Sequence, residues 1–255
     1  MSLSGSVVCI TGASSGIGAA CAEAFAARGC RLLLSARRKD RLEEVAARLE
    51  RDHGADVRCD QLDVRDRGAV ESWAASLPEE WAAIRVLVNN AGLARGIAPF
   101  QEGVVDDWEE MVDTNIKGLL YVTRALLPGM VERGAGHVIN IGSIAGHEVY
   151  PGGNVYCASK HAVAAVSRGL GIDLLGSGVR VSSVDPGMVE TEFSLVRFHG
   201  DGDRAAAVYK GLEALTAEDV ADAVLYCATR PAHANVREMI LMPTAQASAV
   251  HAHRG

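Results

Sequence analysis

Short apolar runs alternate with amphipathic stretches along almost the whole chain. The runs at Val7–Ile10, Arg31–Ala36, Val57–Leu62, Val86–Val88, His137–Ile141, Arg180–Val184 and Glu238–Met242 are rich in Val, Ile and Leu. They read as strands buried on both faces. Between them the apolar positions recur with helical spacing. Ile17, Cys21, Ala24 and Phe25 share one face of a helix that runs through Arg28, and Leu42, Val45, Ala46 and Leu49 form the inner face of a helix over Asp40–Asp52. Arg67–Leu77 is helical. A long helical region from Asp106 to about Arg133 carries Trp108, Met111, Val112, Ile116, Leu119, Leu120 and Val122. Another helix opens at Asn154 and runs to about Leu175. Phe193–Leu215 is irregular, with a short helix near Arg204–Leu212, and Thr216 is placed to cap a helix reaching about Ala228. No linker, repeat or charge block interrupts the alternation. It predicts an α/β fold: one doubly wound parallel sheet of seven strands, helices on both faces, a single domain over residues 1–255.

Composition agrees with that picture. Of 255 residues, 27 are Gly and only 5% are aromatic, which suits many tight strand-to-helix turns. The net charge of -7 with no basic stripe argues against nucleic acid as a partner. The six cysteines are scattered without a C-x-x-C pair, so they read as packed thiols in a reducing compartment. Cys157, beside Tyr156, has no obvious paired base and is given only a packing role. No signal peptide opens the chain and no apolar run nears the ~18 residues of a membrane span. The expected location is the cytoplasm, away from any membrane. No metal site is expected; His251 and His253 in the tail are read as unliganded.

Candidate chemistry sits at the ends of the strands. Thr11-Gly12-Ala13-Ser14-Ser15-Gly16-Ile17-Gly18 follows the first strand and opens a helix. Glycines there let the backbone approach a pyrophosphate, and the helix N-terminus offers free N–H groups. The spacing is G-x-x-x-G-x-G, which separates it from the commoner dinucleotide fingerprint and from a P-loop. The second strand ends without a carboxylate, and Arg37-Arg38 follow. Guanidinium groups at that point favour a ribose 2′-phosphate, hence NADP over NAD. Asn89-Asn90-Ala91-Gly92, Gly142-Ser143 and Asp185-Pro186-Gly187 are further turns at strand ends, where ligands bind in open parallel sheets. Asn115 stands out as a polar residue on an apolar helix face.

Tyr156 and Lys160 are four residues apart on one helix and face the same way. A phenol loses its proton near ~10, and a neighbouring cation lowers that value. The pair is therefore a device for moving a proton on or off a substrate oxygen near neutrality. Ser143 adds a second hydroxyl for the same oxygen. Arg197, in the irregular segment, is a candidate for holding a substrate carboxylate.

These motifs, in this order and over essentially the whole chain, resemble the short-chain dehydrogenases/reductases. The resemblance implies a Rossmann-like sheet, a nicotinamide cofactor and a catalytic tetrad matching Asn115, Ser143, Tyr156 and Lys160. Asn115 is then expected to hold a water that links Lys160 to solvent. Lys160 is also expected to bind the nicotinamide ribose. Asp63, with Val64 beside it, matches the acid on the adenine side, and Thr191, with the backbone near Val189, matches the nicotinamide-amide contact. The implied cofactor-binding set is Gly12, Ser14, Ser15, Gly16, Ile17, Gly18, Arg37, Arg38, Asp63, Val64, Asn89, Ala91, Gly92, Tyr156, Lys160, Pro186, Gly187, Val189 and Thr191. Gly152-Gly153-Asn154-Val155-Tyr156, the stretch Thr191–Phe198 and the ending Met242–Gln246 are similar to the NADP-dependent 3-hydroxy acid (serine-type) dehydrogenase subgroup, whose members are typically homotetramers. The implied activity interconverts a hydroxyl and a carbonyl on a small substrate, a 3-hydroxy acid or short 3-oxo compound bound by Ser143, Tyr156 and Arg197. The alternatives are a carbonyl reductase of secondary metabolism and a non-catalytic NADP-binding regulatory protein.

Overall fold

Seven strands form one all-parallel sheet in the computed structural model, which describes residues 2–255. Along the chain come β1 (Val7–Thr11), α1 (Gly16–Ala26), β2 (Arg31–Ala36), α2 (Lys39–His53), β3 (Val57–Gln61), α3 (Arg67–Ala75), α4 (Glu79–Ala82) and β4 (Ile84–Asn89). They are followed by α5 (Val105–Val112), α6 (Leu119–Glu132), β5 (Gly136–Ile141), α7 (Asn154–Asp173), β6 (Val179–Pro186), α8 (Phe193–Arg197), α9 (Gly202–Ala207), α10 (Ala217–Thr229) and β7 (Glu238–Leu241). The strand order is β3-β2-β1-β4-β5-β6-β7. It reverses direction between β1 and β4, which opens a crevice at their carboxyl ends.

Strand period and helix cover explain each other. Val8, Ile10, Leu32, Leu34, Val86 and Val88 point to one face and pack with Phe25, Leu42, Leu49, Val220 and Val224 from α1, α2 and α10. The intervening Cys9, Leu33, Leu87 and Val138 point to the other face, against Trp73 of α3 and Val122, Leu126 and Met130 of α6. Each fully buried Leu or Phe contributes ~1.5–3 kcal/mol relative to exposure. With both faces covered, the strands carry continuous apolar runs. Two helix ends follow the expected local chemistry. Thr216 and Asp219 form a capping box on α10, and α2 stops at Gly54 in the left-handed region.

The long region from Asp106 is not one regular helix. A π-helical turn, Asp113–Gly118, joins α5 to α6. Periodicity alone predicted an unbroken helix, because one wide turn hardly disturbs an apolar pattern. The short helix expected at Arg204–Leu212 is instead α9, Gly202–Ala207, capped by Asp201. The segment expected to be irregular after Thr191 contains α8.

Candidate active site

The strand ends of β1, β4, β5 and β6 converge on one cleft of about 550 Å³. Its floor is the glycine turn after β1. Gly12 has φ +67°, and a Cβ there would lie 2.9 Å from the Ala91 Cα. Only glycine lets the two turns approach so closely. The Thr11 hydroxyl ties them together by accepting the Asn90 and Ala91 backbone N–H groups, and the Asn90 amide donates to the carbonyls of Thr11 and Gly12. A backbone cradle at the N-terminus of α1 results, with no side chain filling it. That shape fits a pyrophosphate.

Ser14, Ser15, Gly16, Ile17, Arg37, Arg38, Asp63, Val64, Ala91, Gly92, Pro186, Gly187, Val189 and Thr191 all line the cleft with Gly12. Two members of the expected set do not. Asn89 is 5% exposed and gives its amide hydrogens to Thr123 Oγ1 and Asn140 Oδ1, inside the core. Its side chain points away because successive strand residues face opposite sides; Asn90 is the one at the cleft. Gly18 lies behind the turn, where a Cβ would come within 2.5 Å of Asn90 Nδ2. It is a packing glycine.

The two arginines divide the mouth of the cleft. Arg38 donates to Ser14 Oγ at 3.2 Å, to Ser15 Oγ at 2.6 Å and to Glu192 Oε2 at 3.0 Å. Arg37 reaches Glu110 Oε1 at 3.5 Å. Arg38 therefore holds the serines of the glycine turn. Asp63 is paired with Arg65, whose hydrogen bonds hold its carboxyl below the usual range.

Deeper in, Ser143, Tyr156 and Lys160 come together on the cleft wall. Ser143 caps a short 3₁₀ turn after β5, its hydroxyl accepting from Ala145 N at 3.1 Å, and it lies near enough to the Tyr156 phenol to favour its ionised form. Lys160 Nζ donates to the Ile141 carbonyl at 2.9 Å and lies 6.0 Å from the Tyr156 ring centroid. Burial pulls the lysine down to about 8, with the Asp185 charge resisting. Burial also pushes the Tyr156 phenol well above the ordinary tyrosine range, while the Ser143 hydrogen bond and the Arg197 charge work against the rise. The lowering comes from Ser143 and Arg197 rather than from the expected Lys160, and desolvation outweighs it.

Asn115 sits on the π turn, 2% exposed. Its Oδ1 accepts from Leu93 N at 2.8 Å, and its Nδ2 donates to Leu93 O and Ser159 Oγ. Both amide hydrogens are used, so the side chain clamps Leu93 to Ser159 of α7. A Cβ on Gly92 would lie 3.2 Å from Asn115 Oδ1 and 3.7 Å from Lys160 Nζ, which places the two close together.

Arg197, at the last turn of α8, points into the cleft. Its guanidinium lies 5.2 Å from the Tyr156 ring centroid and 5.8 Å from that of Phe193, and Nη2 donates to the Tyr150 hydroxyl. Its Nε is buried with no hydrogen-bond partner among the described residues. Arg95 fastens the helix from behind: it pairs with Glu110 at 2.6 Å and donates to the Val196 carbonyl.

The short chain dehydrogenase profile matches residues 6–200. This chain belongs to that family. It is 49% identical over 244 residues to an NADP-dependent 3-hydroxy acid dehydrogenase of Salmonella typhi, covering 95% of this chain and 97% of the relative. It is 49% identical over 242 residues to sulfoacetaldehyde reductase 2 of Chromohalobacter salexigens, covering 94% and 95%. Among solved structures it is similar to the closed form of a serine dehydrogenase complexed with NADP+, with 48% identity, a TM-score of 0.91, and coverage of 98% and 100%.

Within this short-chain dehydrogenase, three site residues had no sequence signal. Tyr150 is an isolated aromatic in a turn, and only the fold sets it beside Arg197. Arg95 and Glu110 meet across 15 residues of chain, from a loop and from α5. Cys157 is fully buried among Leu93, Met111 and Tyr156, and burial pushes its thiol up, so packing accounts for it.

Proposed function

We propose that this chain is an NADP-dependent oxidoreductase that interconverts a hydroxyl and a carbonyl on a small anionic substrate, a 3-hydroxy acid and its 3-oxo partner. The observation that carries the substrate class is Arg197. A guanidinium with a buried, unpartnered Nε stands over the tyrosine that handles the proton. An anionic group one or two carbons from the reacting carbonyl would satisfy it while the oxygen lies against Tyr156 and Ser143. The names of the relatives support this reading, since 3-hydroxy acids and sulfoacetaldehyde both carry an anion near the reacting carbon.

The cradle around Gly12 and Gly16 fits the pyrophosphate, Arg38 and Arg37 the 2′-phosphate, Asp63 and Val64 the adenine side, and Val189 and Thr191 the nicotinamide amide. When bound, NADPH supplies the hydride that the carbonyl carbon accepts. The chain's own residues handle the charge and the proton. Ser143 and Tyr156 donate hydrogen bonds to the substrate oxygen as negative charge grows there. Tyr156 then delivers its proton. The phenol's raised proton affinity makes it a reluctant acid, and the positive charges of Lys160 and Arg197 favour the phenolate once the proton has left. Lys160 also stands where it can hold the nicotinamide ribose, and Asn115 keeps Leu93 and Ser159 in place beneath it. Oxidation uses the same groups in reverse.

Two further parts of the reading concern setting. We place the enzyme in the cytoplasm, and we infer a homotetramer through α5, α6 and α7. Leu120 on α6, Ile172 on α7 and Leu175 just past its end are exposed apolar side chains that such an interface would cover.

The test is a spectrophotometric screen of NADPH oxidation with short 3-oxo acids, sulfoacetaldehyde and neutral ketones. Turnover of the anionic compounds well above neutral ketones of the same length is the expected result. NADPH binding with no turnover of any compound would sink the reading in favour of a regulatory protein.

A further inference from the structure

A cluster at the carboxyl end of β6 has no part in the mechanism above. Asp185 is 1% exposed. Its Oδ1 accepts from the Ser183 hydroxyl, and its Oδ2 lies 2.8 Å from His147 Nε2. Glu238, at the start of β7, comes within 4.0 Å of the same histidine nitrogen, and Arg168 of α7 donates to Glu238 at 2.9 Å. Arg168 already supplies Glu238 with a cation, so the histidine and two carboxylates form a protein charge cluster, without need of a metal.

The inner end of this cluster meets the catalytic helix. Lys160 Nζ bonds the Ile141 carbonyl, and the next residue, Gly142, packs directly on Asp185. A Cβ on Gly142 would fall 1.8 Å from Asp185 Oδ1, so no other side chain fits there. The Asp185 carboxylate therefore stands one residue along the strand from the group that Lys160 holds. Around the lysine are Tyr156 on its own helix, Asp185 on β6 and the Asn115 amide on the π turn. Behind Asp185 are His147, Ser183 and Glu238, and Arg197 lies across Tyr156. Asp185 is the fully buried carboxylate at this end of the site, and its charge favours the ammonium of Lys160.

We propose that Asp185, held in place by Ser183 and His147, is a positioning residue that keeps Lys160 in its ammonium form during turnover. The proposal rests on the oxidoreductase reading. A neutral lysine neither favours the phenolate nor holds a ribose by charge. Burial alone works toward that neutral form, since desolvation penalises the charged state. Asp185 opposes it from a fixed, dry position where charges interact strongly. Burial pushes its own carboxyl above the usual range, and the hydrogen bonds to Ser183 and His147 work against that rise.

The experiment is the pH profile of kcat/KM with NADPH and a turned-over 3-oxo acid, for the unaltered enzyme, Asp185→Asn, Asp185→Ser and His147→Gln. If the unaltered enzyme has no activity, the oxidoreductase reading fails and not merely this inference. Given activity, both Asp185 variants should move the alkaline limb down by about one pH unit, an activity loss on the order of 10-fold at pH 9 against less than about 2-fold at pH 6.5. His147→Gln disturbs the same cluster but leaves the carboxylate, so its limb should stay in place. A uniform loss at every pH in all three variants overturns the proposal, because it marks a structural role. So does an unmoved limb in a folded Asp185 variant, or failure of both Asp185 variants to fold.

Discussion

The Arg197 guanidinium stands 5.2 Å from the centre of the Tyr156 ring and donates to the Tyr150 hydroxyl. One side chain is thus set both to stabilise a phenolate and to hold an anion beside it. Arg197→Met should raise KM for a 3-oxo acid by roughly 10- to 100-fold, the size of a lost charge-assisted hydrogen bond in a closed site. A neutral ketone of the same length should lose only the modest part that reflects phenolate stabilisation. Steady-state kinetics with the matched pair checks this, and equal losses for both compounds would count against an anion-binding role.

Tyr156→Phe removes the proton donor and keeps the packing against Phe193. Turnover should fall by at least about 10²-fold, the usual contribution of a positioned acid or base. NADPH binding, followed by fluorescence titration, should change little. Retained turnover would mean that another group moves the proton.

The division between the two arginines predicts unequal variants. Arg38 holds Ser14 and Ser15 of the glycine turn, whereas Arg37 pairs with Glu110. Arg38→Ala should therefore raise KM for both NADPH and NADH, and more for NADPH. Arg37→Ala should affect NADPH alone. Loss of a single guanidinium–phosphate contact corresponds to roughly 10- to 100-fold. Measuring both cofactors with both variants decides it.

His137 predicts an acid limit for the fold. Its Nε2 meets the Ser182 hydroxyl, its Nδ1 has no partner, and burial, with Arg180 and Arg85 adding, pulls its pKa down to about 3. The folded protein therefore holds it neutral while the unfolded chain protonates it below about 6.5. Its contribution is intact above that value and is lost progressively as pH falls toward 3. Urea unfolding at pH 7.5 and pH 4.5 should differ by on the order of 2–3 kcal/mol from this group. In His137→Asn that part of the pH dependence should vanish, even if the variant starts less stable.

How much of this could be read from the sequence depends on range. The sheet and its helices follow from local periods, and Thr216 as a cap follows from a local hydrogen bond. The glycine turn and the Tyr156–Lys160 pair are also local, so their placement in the cleft could be anticipated. Asn89 and Asn90 show the limit: the pattern put both at a strand end, but only the side-chain alternation of β4 decides which faces the cleft. The proton balance of Tyr156 was misjudged because a sequence displays the nearby charge and hides the burial. Tyr150, Arg95 and Glu110 were invisible because their roles are contacts between distant segments.

The π turn at Asp113–Gly118 has a consequence for how this chain can change in length. Successive residues of a regular helix are separated by about 100° of rotation. Before the turn, Asp107 and Glu110 face His199, Arg37 and Arg95 at the rim of the cleft. After it, Thr123 faces Asn89 in the interior. The wide turn holds one residue more than a regular turn while keeping the two halves in phase. Losing one residue there would let it relax to regular geometry with both the rim pairs and the interior pairs kept, whereas losing one from α5 or α6 would rotate one half by about 100° and break one set. The turn is a slack link in a keyed shaft, and a single-codon deletion should be better tolerated within it than on either side.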